Sequence, residues 1–414
     1  MSPPEAPAPA APPRTEPLAR PALPLVEFVA LLALLFSSVA YAIDAMLPLI
    51  TQMGRELAPA QPARAELVIT VFVAGLGLGT FVAGPLSDAL GRRRVILGGI
   101  VVYMAAATVA ALSESLTALL AARFVQGLGT AGPRVAAQAL VRDLYAGRMM
   151  ARVMSFAMTL FVLVPAVAPL IGAGLAALFG WRSIFWSFLA FGVISGGWLL
   201  IRQPETLPPE RRRPLNAARL WGALREVLGH ARVRHYLAAL SLAFATMFLW
   251  LSTIARIFEE SFDRGPAFPV WFAIIALMSA PASLLNARLV MRLGMQRLVI
   301  SAFAVQIASA LMILAVVWLA PPTWQFPAFI LFMWLQFSCV GLSFGNLNAL
   351  ALEPLGHVAG MAASVMGGVS TLFAALIAMA LGSLGDGTPV PLAMAGAVCT
   401  GGALLLMRRA ARLG

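Results

Sequence analysis

Long apolar runs alternate with short polar segments along nearly the whole chain. Each run is close to the 20 or so apolar residues that a helix needs to cross a hydrocarbon core about 30 Å thick. The pattern therefore predicts twelve membrane-spanning helices, at about residues 25–50, 65–87, 95–113, 115–139, 151–178, 183–202, 235–257, 268–288, 297–320, 325–348, 358–384 and 388–407.

The composition agrees with a chain that lies mostly in lipid. Hydrophobic residues make up 61% of the 414 residues and charged residues only 11%, against about 25% charged residues in soluble domains. Twelve spans leave little chain for domains outside the membrane. We therefore expect an all-α membrane protein whose main partner is the lipid bilayer.

The formal net charge of +12 comes from arginine, because all 29 basic residues are arginine. Most of them lie in short loops between apolar runs, which indicates membrane topology rather than a surface that binds nucleic acid. The loops after spans two, four, six and eight are richer in arginine than the alternate loops. They hold Arg92 to Arg94, Arg142, Arg148, Arg211 to Arg213 and Arg292. The positive-inside rule then places both termini in the cytoplasm, and we expect a bacterial-type cytoplasmic (inner) membrane.

Several kinds of chemistry find no support in the sequence. A chain without lysine has no phosphate-binding Gly-x-x-x-x-Gly-Lys loop, and its three histidines show no metal-ligand spacing. Cys339 and Cys399 lie in apolar runs, where a thiol behaves as a small hydrophobe. No Ser-His, Asp-Asp or His-rich cluster indicates a hydrolase, so we expect neither an enzyme nor a bound cofactor or metal.

A polar stretch in the middle divides the chain into two halves of six spans. We predict a disordered cytoplasmic tail at residues 1–24, bundles at 25–203 and 235–408, a cytoplasmic linker at 204–234 with an amphipathic helix near 215–228, and a second tail at 409–414. GRRRVILGGIV, from Gly91, resembles GMQRLVISAFA, from Gly294, and both follow an even-numbered span. This echo favours a duplication, which is common in transporters that alternate between two open states.

The loop between spans two and three reads GPLSDALGRRRV. It resembles the signature loop of the major facilitator superfamily, and this resemblance implies two six-helix bundles around a central cavity. Glycine permits close helix approach and a tight turn, while the aspartate can pair with arginine or with a helix end in one conformation only. We interpret the loop as a breakable latch, and the alternative is a plain positively charged topology signal. The latch residues are Gly84, Asp88, Gly91, Arg92, Arg93 and Arg94.

Spans one and four each hold a charged residue within an apolar run. YAIDAMLPLI contains Asp44 and is similar to a motif of the drug:proton antiporters of this superfamily. RFVQGLGTAG begins at Arg123 and resembles the motif of the superfamily in span four. The resemblance implies that Asp44 binds a proton or a cation, and a carboxylate held away from water can indeed bind a proton near neutral pH. A buried guanidinium needs a partner or water, so we expect Arg123 to face a polar cavity. The alternatives are a solvated helix end for Asp44 and a structural ion pair for Arg123.

Span five reads FVLVPAVAPLIGAG and is similar to the antiporter motif, although Ala168 and Ala173 depart from it. Prolines four residues apart kink a helix, and small residues allow close sliding, so this span is a candidate gating helix. The alternative is close packing without a gating role. Its candidate residues are Pro165, Pro169, Gly172 and Gly174. With RDLY at Arg142, GWRSIFW at Gly180 and PETL at Pro204, these segments most resemble the Bcr/CflA group of twelve-helix drug exporters.

In this superfamily spans one, four, seven and ten line the cavity. Their polar and aromatic residues are candidates for substrate contact, and interhelical hydrogen bonds or interfacial anchors are the alternatives. These candidates are Tyr41, Gln126, Trp250, Ser252, Gln336 and Asn346. The leading hypothesis is a monomer that exports small hydrophobic or cationic compounds in exchange for protons. The alternative is a proton-coupled carrier for one metabolite, such as an amino acid, a sugar or a siderophore.

Overall fold

The structure is a computed structural model that describes residues 22–413, and within that range every regular element is a helix. The tail predicted to be disordered, residues 1–24, lies outside the described residues except for its last three positions. The α-helices are α1 Leu25–Asp44, α2 Ile50–Leu57, α3 Leu67–Leu90, α4 Arg92–Ala111, α5 Leu116–Leu144, α6 Gly147–Phe179, α7 Ser183–Arg202, α8 Ala217–Gly229, α9 Ala231–Glu260, α10 Phe268–Leu293, α11 Met295–Leu319, α12 Gln325–Leu352, α13 Ala359–Gly382 and α14 Pro389–Arg412.

The predicted spans correspond to these helices, with α1 and α2 together forming the first span. Of the described residues, eleven helical segments are long and apolar enough to cross a membrane. The remaining long helix, α5, is as long as its neighbours but is not among the eleven. Arg123, Gln126 and Arg134 make its interior more polar, which explains the difference. The all-α architecture predicted from the sequence is confirmed.

The helices form two bundles. In the N-terminal bundle α5 packs against α3 and α4, and α1 packs against α6; in the C-terminal bundle α9 packs against α13 and α14, and α11 against α12. The bundles meet where α3 contacts α13 and α6 contacts α10. Glycines bring α3 and α13 together, since a Cβ on Gly77 would lie 2.6 Å from the backbone nitrogen of Leu372. Small residues at such a contact are typical of helix packing in membranes.

The sequence echo between the two halves has a counterpart in the backbone. Gly91 (φ 104°, ψ 157°) precedes α4, and Gly294 (φ 76°, ψ 156°) precedes α11. Both glycines occupy a region of positive φ that residues with a Cβ rarely adopt. The same sharp turn therefore follows an even-numbered span in each half.

The linker and the C-terminus extend the helical structure beyond the predicted bundles. The linker contains α8, and α9 already begins at Ala231. The last helix runs on to Arg412, so residues 409–412 continue it instead of forming a separate tail. We call the end of the bundles at the α3–α4 turn and the linker the arginine-rich end. The opposite end, at residues 58–62 and 383–388, is called the arginine-poor end.

Candidate functional site

The first span breaks at Asp44. Pro48 has no N–H to donate to the carbonyl of Asp44, four residues earlier, and its ring crowds that carbonyl. The helix α1 therefore ends at Asp44, and a 3₁₀ turn at Leu47–Leu49 leads into α2. Asp44 is only 5% exposed. The sequence thus places a carboxyl group, enclosed by protein, at an interruption of a membrane span.

Arg123 lies beside this break and is completely buried. Its Nη2 donates to the carbonyl of Ala42 at 2.9 Å, and its Nε donates to the carbonyl of Val68 at 3.3 Å. The guanidinium also lies 4.3 Å from the ring centroid of Phe72, a favourable cation–π contact. Backbone carbonyls on α1 and α3 thus compensate for the burial of the charge.

Asp44 and Arg123 do not form an ion pair. The carbonyl that accepts from Arg123 belongs to the residue two positions before Asp44. The ion pairs among the described residues do not join the two side chains. A small movement of α1 against α5 would therefore change the separation of carboxylate and guanidinium.

Two buried polar atoms near Arg123 have no hydrogen-bond partner in the described part of the chain. Gln126 accepts from Arg123 at 2.5 Å through Oε1, which leaves its Nε2 unpartnered. The hydroxyl of Tyr103, on α4, is the second such atom. Buried polar groups without partners are uncommon and often mark the place of a water or ligand. Both are groups that a bound molecule can satisfy.

The other cavity candidates differ in what their polar groups contact. The hydroxyls of Tyr41 and Ser187 lie 2.8 Å apart, which joins α1 to α7. Gln336 donates to Ser309 at 3.1 Å, and Asn346 donates to Asn286 at 2.7 Å. These three candidates make hydrogen bonds between helices of their own bundle, which is the alternative considered for them.

Trp250 and Ser252 lie on α9, where the C-terminal bundle faces the N-terminal one. Trp250 packs on Phe337 with ring centroids 4.3 Å apart, and its Nε1 has no hydrogen-bond partner among the described residues. Ser252 donates to the carbonyl of Leu249 and lines a cavity of about 500 Å³ between α3, α9 and α13. Of the six candidates, Trp250 and Gln126 thus each keep a donor without a partner among the described residues, and Ser252 reaches a cavity.

The proposed latch residues form a network at the arginine-rich end. Arg92 is buried, and its guanidinium donates to Asp88 and, at 3.0 Å, to Asp143 at the end of α5. Asp143 also accepts from Thr206 of the PETL segment at 2.9 Å. This network ties α3, α4, α5 and the start of the linker together within one bundle. Contact with the other bundle comes from Gly84, where a Cβ would lie 2.4 Å from the hydroxyl of Ser364.

Glu205 of the same PETL segment caps α4, although it is far from α4 in the sequence. Its Oε1 accepts from the backbone N–H of Arg92 at 2.9 Å, and its Oε2 accepts from that of Arg93 at 3.2 Å. A carboxylate at a helix N-terminus satisfies free N–H groups and interacts favourably with the helix dipole. A Cβ on Gly91 would lie 2.3 Å from Oε2, so glycine at this position leaves room for the cap.

Replacing Glu205 by alanine should lower the stability of the protein. Loss of a helix cap costs about 0.5–2 kcal/mol, so the thermal midpoint in detergent should fall by a few degrees. Glu205→Gln, which keeps one acceptor oxygen, should show a smaller loss. Glu210→Ala, an exposed site in the same linker, is the matched control. Equal midpoints for Glu205→Ala and Glu210→Ala would contradict the capping role.

The candidate gating helix α6 contacts α1 directly at the break. A Cβ on Gly172 would lie 1.9 Å from the carbonyl oxygen of Ala45, the residue after Asp44. Gly174, in contrast, has open space around it. Pro165 and Pro169 lie within the helix, which continues through both. Of the two predicted glycines, Gly172 therefore permits close packing, whereas Gly174 packs against nothing.

Comparison with known proteins decides the family. The family model described as Major Facilitator Superfamily matches residues 29–379, which is most of the chain. The chain belongs to the major facilitator superfamily. It is a multi-pass membrane transporter of small molecules rather than an enzyme, as the superfamily resemblance of its loop and spans implies.

Individual relatives within the superfamily agree with this assignment. A bicyclomycin resistance protein homolog of Haemophilus influenzae is 28% identical, over 90% of this chain and 93% of the relative. The multidrug resistance protein MdtL of Shewanella oneidensis is 27% identical, over 83% of this chain and 85% of the relative. The resemblance to the Bcr/CflA group is thereby confirmed. The crystal structure of a D-xylose-proton symporter superposes with a TM-score of 0.72 at 14% identity, over 92% of this chain and 96% of that one, which shows the fold alone.

One charged contact of this superfamily member was missed by sequence reasoning. Glu66 lies near the end of a span, and from the sequence alone this position favours a solvated side chain at the interface. In the structure Glu66 is only 6% exposed and pairs with Arg256 of α9, with Oε1 and Nε 2.6 Å apart. An arginine within the apolar run of span seven was the available signal, because such a residue needs a partner.

Proposed function

We propose that this transporter exports small hydrophobic or cationic compounds in exchange for protons. The observation that carries the proposal is the similarity, over most of the chain, to relatives named for bicyclomycin and multidrug resistance. The arginine distribution supports an orientation with the arginine-rich end and both termini in the cytoplasm of a bacterial-type inner membrane. Export then runs from the arginine-rich to the arginine-poor end.

The proton site of this proposal is Asp44. Its carboxyl group is enclosed by protein at the end of α1, and a charged carboxylate in such surroundings is costly unless a cation lies near. The Arg123 guanidinium, hydrogen-bonded to Ala42, is the cation available. The two side chains form no ion pair in the structure, and in this arrangement Asp44 holds a proton. A movement of α1 against α5 that brings the guanidinium to the carboxyl group releases the proton.

Coupling requires that proton and substrate exclude one another. A cationic compound beside Asp44 stabilises the charged carboxylate and so displaces its proton, whereas a proton on Asp44 removes the charge that attracts the compound. The unpartnered hydroxyl of Tyr103 and Nε2 of Gln126 offer hydrogen bonds to the compound nearby. In the C-terminal bundle, Trp250 keeps an Nε1 donor without a partner among the described residues.

Proton movement in inside-out vesicles tests this function. With an acidic vesicle interior, adding a transported compound should release protons through the protein, so the pH gradient should fall. A panel of cationic dyes, neutral antibiotics, amino acids and sugars separates the possibilities. Dissipation by several hydrophobic or cationic compounds supports the proposal. Dissipation by one amino acid or sugar alone would favour a dedicated metabolite carrier, and compound flux without proton movement would exclude proton exchange.

A further inference from the structure

Two ion pairs join the bundles at the arginine-poor end, and α9 contributes to both. Arg256 pairs with Glu66, which precedes α3, and Glu259 pairs with Arg55 of α2. The two α9 residues lie one helical turn apart. Their charges alternate, so each bundle contributes one cation and one anion. Among the described residues, two ion pairs of opposite polarity thus hold the bundles together at this end.

The two pairs differ in their exposure to water. The Arg55 side chain is 67% exposed, and exposed pairs contribute about 0–1 kcal/mol. The Glu66 and Arg256 side chains are only 8% and 11% exposed. Removing one partner of a buried pair is strongly destabilising, since it leaves the other charge buried and uncompensated. Closure of this end therefore depends on the charge of Glu66.

A cavity beside Glu66 lies on the arginine-poor side. The side chain lines the cavity of about 500 Å³ between α3, α9 and α13, together with Thr70 and Ser252. The rim of this cavity includes Gln61 and Arg64, which are exposed. Protons can thus arrive at Glu66 from one side of the membrane without passing Asp44.

We propose that Glu66 is a second proton-binding carboxyl group, and that a proton from the arginine-poor side breaks its pair with Arg256 and opens this end. The proposal rests on the proposed proton-driven export. The gate adds a step to that export. An acidic outer solution favours the state in which the compound is released and Asp44 binds its proton. The pair therefore acts as a gate rather than as a fixed link.

Arg256 has a second acceptor once Glu66 is neutral. Its guanidinium lies beside the loop after α13, where a Cβ on Gly385 would be 2.8 Å from Nη2. Asp386 of that loop accepts from the Thr388 hydroxyl, and this bond keeps the pKa of Asp386 below its usual value. Asp386 thus stays ionised in mild acid and remains an anion towards which Arg256 can turn.

Of the charged groups near the gate, Glu66 is the one whose protonation opens it. Those near the gate are Arg55 and Glu56 of α2, Arg64 beside the cavity, Arg123 of α5, Glu259 and Glu260 of α9, and Asp386 of the loop. The helix α13, which lines the same cavity, has no charged residue. The pairs of Arg55 and Glu56 lie at the surface, whereas the Glu66 pair is enclosed.

A distance measurement across the gate tests the proposal without substrate or gradient. Spin labels at Gln52→Cys and Ser261→Cys, both exposed near the arginine-poor end, report the separation of the bundles in lipid nanodiscs. The two native cysteines are buried, and protein without the introduced pair gives the labelling background. Between about pH 8 and about pH 5.5, the ratio of long to short distances should rise roughly tenfold.

Variants assign this change to Glu66. Glu66→Gln should give the long distance at every pH, and Glu66→Asp should keep the pH response. Glu66→Arg combined with Arg256→Glu should restore the short distance at high pH, which also shows that the altered pair still folds. Glu114→Gln, at an exposed carboxylate before α5, should leave the response unchanged. A wild-type pH response in Glu66→Gln, or a short distance in that variant at every pH, would overturn the proposal.

The outcome is separable from that of the proposed export. If the vesicle experiment shows no proton exchange while the distance still responds to pH through Glu66, the gate stands and the export proposal fails. If protons and compounds exchange while Glu66→Gln behaves as wild type, export stands and the gate is wrong.

Discussion

Replacing Asp44 by asparagine should abolish proton-driven efflux and leave the amount of folded protein in the membrane unchanged. Asparagine has nearly the same shape as aspartate, so the packing at the end of α1 is kept, but an amide does not bind a proton in this pH range. Compound-induced proton release in inside-out vesicles should fall to the level of vesicles without the transporter. Size-exclusion chromatography of the purified variant should show an unchanged peak.

Two further variants sharpen this result. Asp44→Glu keeps the carboxyl group and should retain measurable exchange. Glu114→Gln changes an exposed carboxylate outside the site and should leave transport by Asp44 intact. Undiminished proton release by Asp44→Asn would remove Asp44 from the mechanism.

The second large effect is expected at Gly172, where α6 meets the break in the first span. Valine at this position places its Cβ about where the carbonyl oxygen of Ala45 already lies, at 1.9 Å. Backbone is the obstacle, so one of the two helices has to move, and overpacking in a dense interior costs about 1–3 kcal/mol or more. Transport by Gly172→Val should fall at least about tenfold, or the folded protein should be lost.

Gly174→Val is the matched control, two residues further along the same helix. No atom lies within 4 Å of a Cβ at Gly174, so the larger side chain is accommodated at the surface of the bundle. Thermal midpoint and transport should stay near the wild-type values. Equal losses in both variants would show that α6 needs glycine for helix geometry and not for contact with α1.

The fold could be predicted from the sequence to a large extent because a membrane leaves few solutions. A span needs about 20 apolar residues with internal hydrogen bonds, so the length of each apolar run already defines a helix. The loop from Gly84 likewise indicated the superfamily. The position of the break at Asp44 could also have been derived, since Pro48 removes the hydrogen bond of its carbonyl.

The partners of the charged side chains could not be predicted in the same way. Arg123 was expected to face a polar cavity, but backbone carbonyls of Ala42 and Val68 accept its hydrogen bonds. Carbonyls occur at every residue, so the sequence does not indicate which of them an arginine will reach. Glu66 and Arg256 are 190 positions apart, and their contact depends on how the two bundles meet.

The polar interior of α5 has a consequence for how the protein is made. Spans enter the bilayer during synthesis according to their apolarity, and an arginine at the middle of a helix costs about 2.5–3.5 kcal/mol at that step. Unlike the other long helices, α5 falls short of the apolarity of a self-sufficient span. We therefore expect it to enter lipid beside α3, whose carbonyl at Val68 accepts from the guanidinium. We therefore expect Arg123 to tie the insertion of the fourth span to that of the second.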